Sequence, residues 1–143
     1  MQIPFSDEIL QVSFDLFELS YTTGNPILSF LTCMIAIESI LNPDRSEIRN
    51  RVSRNLAVLV GKDIEEAELL YKQMLDLYDK RSRIAHGRAT KSVNQSDVIS
   101  IRNLLRRTIL EYYYTGMEKS SLLGLLNKLG FESKKPWKQK DKT

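Results

Sequence analysis

The stretch NPILSFLTCMIAIESILNP, residues 25–43, decides how the rest of the chain is read. Asn25 supplies a side-chain acceptor just ahead of Pro26, and a first helical position tolerates proline because its missing N–H would have no partner there. Asn42-Pro43 stops the helix at its other end. Between these signals Ile27, Leu28, Phe30, Leu31, Met34, Ile35, Ile37 and Ile40 leave almost no polar face. Such a helix is buried, so residues 26–41 are expected at the centre of a helical bundle. The run is too short to cross a bilayer and carries Glu38, so no membrane span is expected.

Start and stop signals divide the flanking sequence in the same way. Ser6 is expected to cap a first helix that runs to about Ser20, with Asp7 and Glu8 favourable in its first turn. Asp44 with Glu47 resembles a capping box for a third helix that buries Ile48, Val52, Leu56 and Leu59 and ends at Gly61. Asp63 with Glu66 repeats that signal for a long fourth helix stopping near Gly87. A polar loop, Arg88 to Asn94, precedes a fifth helix with Val98, Ile101, Leu105, Ile109 and Tyr112 at helical spacing and Gly116 at its end. A sixth helix spans about Glu118 to Leu129, before Gly130. No stretch shows strand alternation and no repeat is present. The fold class is therefore all-α, a bundle of about five to six helices with short connections, the second and fourth being central.

At 143 residues, with 42% hydrophobic and 27% charged, the chain suits one globular, soluble domain. Of the net charge of +3, all lies in residues 132–143, where Lys134, Lys135, Lys138, Lys140 and Lys142 face only Glu132 and Asp141. Residues 1–131 are thus read as the domain and 132–143 as a basic, solvated, disordered tail. A tail grazing nucleic acid around Trp137 is the rival reading. The lone Cys33 excludes an intrachain disulfide and suits a reducing cytoplasm, and residues 1–8 lack the pattern of a signal peptide.

Several chemistries lack their residues. Gly61-Lys62 has no glycine-rich lead-in for a phosphate loop, and no GxGxxG occurs. One histidine and one cysteine cannot build a zinc site in a single chain. Asp63, Glu65, Glu66 and Glu68 read as a solvated helix start. No metal or cofactor is expected.

The segment YDKRSRIAHG, residues 78–87, carries the chemistry that remains. At about 100° per residue the apolar stripe of the fourth helix passes through Met74, Leu77, Tyr78, Ile84 and Ala85, with Arg81 at its centre. An arginine there either snorkels outward or meets an anion. His86, the sole histidine, falls in the last turn, where the helix C-terminus, and Asp79 if it reaches, would favour the protonated imidazole. Asp79 and Ser82 share its side of the helix, while Arg81 and His86 stand about 140° apart. Either the last turn distorts, the arginine bends round, or the two meet across a dimer. A plainer reading stays open for each: His86 as a helix-end partner, and Arg81 paired with Glu38 of the second helix.

Arg81-Ser82-Arg83-Ile84-Ala85-His86 fits the signature of Arg, four to six residues, His that marks HEPN domains. Together with AIESIL (36–41), RNLAVL (54–59) leading to Gly61, and LYDKRSRIAHG (77–87), it resembles the Apea-like branch of that family, over roughly Phe30 to Tyr114. The resemblance implies a bundle that pairs as a two-fold homodimer, with both motifs lining one cleft. Many such domains are metal-independent endoribonucleases in toxin–antitoxin, phage-defence or RNA-processing systems, and others bind RNA, nucleotides or proteins without catalysis. Active members usually carry Asn, Asp or His after the arginine, where this chain has Ser82.

The chemistry of RNA cleavage agrees with this. Attack by a 2′-hydroxyl needs a base, an acid for the leaving oxygen, and a cation beside the phosphorane. One chain offers one histidine; a two-fold dimer offers two histidines and two arginines in one place. The expected roles are His86 as acid or base, Arg81 as phosphate stabiliser, Ser82 and Asp79 as orienting groups, and Arg83, Arg88 and Lys91 as contacts to the RNA backbone. The expected partners are RNA, a second copy, and an antitoxin or larger defence-system protein. The alternatives are a non-catalytic dimeric HEPN module that binds RNA, nucleotide or protein, and a structural helical domain of a larger defence protein.

Overall fold

The computed structural model describes residues 7–43, 47–87 and 93–138. Among them are six α-helices and no strand: α1 (Glu8–Thr22), α2 (Pro26–Leu41), α3 (Ile48–Val60), α4 (Ile64–Ala85), α5 (Gln95–Thr115) and α6 (Lys119–Lys128). The all-α bundle is thus the observed fold, and its boundaries follow local chemistry.

Asn25 Oδ1 accepts from Ile27 N at 2.9 Å, with Pro26 leading α2 as expected. Asp7 caps α1, accepting from Ile9 N at 2.9 Å; Ser6, the expected cap, lies outside the described residues. At α4, Asp63 Oδ1 accepts from Glu66 N at 2.8 Å, while Glu66 reaches back to Lys62 N at 3.0 Å instead of closing on Asp63. Burial raises the Glu66 carboxyl, but bonds from Arg107 and Lys62 outweigh it and hold the group below its usual value. Asn94 and Asp97 form a reciprocal capping box at α5, which the sequence reading did not identify.

The third helix differs from its expectation. Asp44 lies outside the described residues, and Glu47 is itself the cap position, at φ 65° and with no side-chain cap bond. Ile48 is exposed, whereas the whole run from Asn55 to Val60 is buried.

Helix α2 is central, with Phe30, Cys33, Met34, Ala36, Ile37, Ile40 and Leu41 all fully buried. It packs on α1 and α5, and α3 and α4 pair beside it. Its burial is not all round: Leu28 and Ile35 are 53% and 52% exposed. The fourth helix is not central, contrary to the sequence reading. It buries one stripe (Ala67, Leu70, Met74, Leu77, Tyr78) and packs chiefly on α3, while α5 touches α1, α2 and α3. Burial pushes the Cys33 thiol up, which keeps it in its unreactive form.

The basic tail also needs correcting. Residues 132–138 are docked on the bundle. Lys135 Nζ donates to Leu59 O at 3.1 Å and also to Gly61 O, at the end of α3. Trp137 is 7% exposed and its Nε1 donates to Glu111 at 3.2 Å. Lys138 reaches the same carboxylate at 3.6 Å. Burying the indole outweighs the pull of solvent on the flanking lysines. Lys140 and Lys142 lie outside the described residues.

Candidate functional site

The last two turns of α4 carry four of the predicted site residues, and the helix end sets their directions. The backbone N–H of His86 bonds Ser82 O at 3.1 Å, and that of Gly87 bonds Ile84 O at 3.0 Å. Gly87 turns left-handed, at φ 68°, and ends the helix there.

Arg81 turns inward. Its Nε lies 3.1 Å from Glu38 Oε1, and its Nη2 donates to Glu38 Oε2 at 3.4 Å. The Tyr78 hydroxyl donates to Glu38 Oε1 at 3.1 Å, and the guanidinium carbon sits 5.9 Å from the Tyr78 ring centre. Burial first, then the adjacent carboxylate, push the Tyr78 hydroxyl far above its usual titration range, so it stays a donor. Glu38 is thus held by two donors from α4, and its pair with Arg81 is the one that the plainer reading anticipated. The Arg81 side chain keeps 37% of its surface exposed against 16% for Glu38, which leaves an edge of the guanidinium for a further anion.

His86 turns outward. It is exposed, and among the described residues no side-chain hydrogen bond or ion pair holds it. Ser82 and Arg83 are exposed beside it. Asp79 does not join the group. Its carboxylate is taken by Arg49 of α3, at 2.9 and 3.1 Å in a fork-to-fork pair. The expected orienting role of Asp79 toward His86 is therefore absent from this arrangement. Arg88 and Lys91 lie outside the described residues.

A further contact fixes the end of α4. Lys80 Nζ reaches Asp97 at 2.6 Å, tying α4 to the capping box of α5. The sequence carries half of that signal: Asn94 and Asp97 stand at capping-box spacing, but nothing local points to Lys80. Tyr78 was also missed as a partner, although it lies three residues before Arg81 on the same helical face.

The arrangement offers one free imidazole and one half-exposed guanidinium, pointed apart on a single chain. Among the described residues no three His, Cys, Asp or Glu side chains converge as a metal site. No helix among them is long and apolar enough to cross a membrane. Comparison with protein-family models, with curated proteins and with solved structures finds no match to the chain.

Proposed function

We propose that the chain is a metal-independent endoribonuclease of the HEPN type, with its active site completed by a second copy. The observation that carries this reading is that one helix end bears both an unpartnered exposed His86 and an Arg81 held in place but not fully covered. His86 takes or gives the proton, and Arg81 meets the charge that builds on the phosphorane. Glu38 and Tyr78 orient the guanidinium. Ser82 and Arg83 lie on the RNA side, and Arg88 and Lys91 extend the contact to the backbone.

The second copy supplies the second imidazole. Leu28 and Ile35, exposed on α2 at helical spacing, run toward Glu38 and the Arg81 edge and give a second copy an apolar surface to cover. The cellular setting that fits is a cytoplasmic toxin, phage-defence or RNA-processing role, with an antitoxin or a larger defence protein as partner.

The test is cleavage of single-stranded RNA in excess EDTA. The expected products carry a 2′,3′-cyclic phosphate and a 5′-hydroxyl, and DNA, which lacks the attacking hydroxyl, survives. His86→Ala and Arg81→Ala each abolish cutting. Cutting that survives His86→Ala, or a strict monomer in light scattering, overturns the reading.

The Glu38–Arg81 pair favours a second reading, a non-catalytic RNA- or protein-binding dimer, because a carboxylate already answers the guanidinium charge. RNA retained on the wild type without cleavage selects it, and Ser82→Asn is then the variant in which to seek activity.

A further inference from the structure

We propose that the cavity between α3 and α6 is a binding site for a phosphate-type oxyanion, with Arg51 as its main donor. Arg51, Arg54, Asn50, Ser120 and Asn127 line this cavity, and Glu47 is its one carboxylate among the described residues. It lies on other elements than the end of α4, and the proposal does not depend on the ribonuclease reading.

Arg51 is the unexplained group. Its Nε is sealed from water and has no hydrogen-bond partner, and among the described residues no carboxylate pairs with its guanidinium. Every other half-buried arginine named above has an acceptor. Arg54 shows the contrast: its Nη1 donates to Leu126 O at 2.9 Å and its Nη2 to Leu129 O, so its plane is fixed against the end of α6. A sealed donor without a partner costs free energy, so a turn of the guanidinium toward an acceptor in the cavity is favoured.

The rest of the wall suits a tetrahedral oxyanion. A guanidinium fork matches two oxygens of a phosphate at once. Asn50 Oδ1 accepts from the Tyr71 hydroxyl, which leaves the amide N–H groups of Asn50 as donors. Ser120 and Asn127 bring further neutral donors from α6. Gly124 also borders the cavity, and a Cβ there would meet nothing within 4 Å.

The probes are inorganic phosphate, adenosine 5′-monophosphate and a 2′-deoxy oligonucleotide, each against chloride at matched ionic strength. The readout is the arginine Nε–H region of the ¹⁵N–¹H spectrum, with Arg51→Lys assigning the signal. The Arg51 resonance is expected to shift saturably. Arg51→Gln is expected to weaken binding at least tenfold, and Glu47→Gln to tighten it by removing the opposing charge. Gly124→Leu, which favours the helix while filling the cavity, is expected to abolish binding even if Arg51→Gln folds poorly. Equal response to phosphate and the nucleotide identifies a free phosphate group as ligand; response to the oligonucleotide alone identifies a nucleic-acid backbone. If no probe moves the Arg51 signal, or if Gly124→Leu binds as the wild type does, the proposal is wrong.

Discussion

Arg81 Nε stands 3.1 Å from Glu38 Oε1, and this pair joins the central helix of the bundle to the exposed end of α4. The pair is partly covered, so its worth lies between that of a surface ion pair and a buried one. A double-mutant cycle of Arg81→Ala and Glu38→Gln, read by urea unfolding, is expected to give a coupling of about 1 kcal/mol. Coupling near zero would mean that water, not Glu38, satisfies the guanidinium.

His86 and Gly87 are neighbours with separate duties. The imidazole has no side-chain partner among the described residues, so His86→Ala should change stability by no more than about 0.5 kcal/mol. Gly87 is left-handed, and a methyl group added there would meet only open space, so Gly87→Ala should cost about 1–2 kcal/mol from backbone strain alone. Melting curves of the two variants check this. A large loss in His86→Ala would return the histidine to a structural role.

Lys135 predicts a rise of stability with alkali. Burial, reinforced by Lys138, pushes its ammonium down to about 8 from 10.5. Glu111 and Glu66 pull the other way, and Arg107 adds to the depression. Across that window the unfolded chain binds more protons than the folded one, so stability increases as pH rises from about 8 toward 10.5. Lys135→Met should flatten that rise. Tyr78 and Tyr112 oppose it at higher pH: burial and their carboxylate partners raise both hydroxyls, so stability falls once unfolded tyrosines ionise above about 10. Thermal melts from pH 7 to 11 (roughly the span of these reference values) follow both limbs.

Helix α3 and the glycine that ends it allow two substitutions of opposite sign. A Cβ on Gly61 would lie 2.7 Å from Ala57 O and 2.9 Å from Ala67 Cα, both backbone atoms that cannot step aside. Gly61→Ala should therefore cost about 2 kcal/mol. Ser53 of α3 has a buried hydroxyl with no partner, and Ser53→Ala should add about 1 kcal/mol. Urea midpoints measure both, and a destabilised Ser53→Ala would reveal a partner for that hydroxyl.

The sequence made the helices legible because their boundaries are local. Asn25 and Pro26, Asp63 and Glu66, and Gly116 act within one turn of themselves. Which helix covers which was not legible. The stripe through Met74 and Tyr78 identifies a one-sided helix without saying that α3 alone lies over most of it. The apolar surface of α2 likewise does not say that Leu28 and Ile35 stay uncovered. At the candidate site, Glu38 could be named as a partner for Arg81 because a buried carboxylate needs a cation. Arg49 could not be foreseen for Asp79, since both are charged surface residues thirty positions apart. The docked tail was hidden for a similar reason: lysine-rich composition reports solvation, whereas Trp137 and the acceptors of Lys135 report packing.

The placement of Lys135 has a consequence for how the chain is made. Its acceptors, Leu59 and Gly61, leave the ribosome more than seventy residues earlier. A nascent chain that already holds α1 to α5 still lacks the residue that caps α3 and the indole that seals the wall beside Glu111. That corner therefore stays open after α1 to α6 have been made and closes only as residues 135–137 emerge, so this wall of the bundle is sealed by residues that follow its last helix.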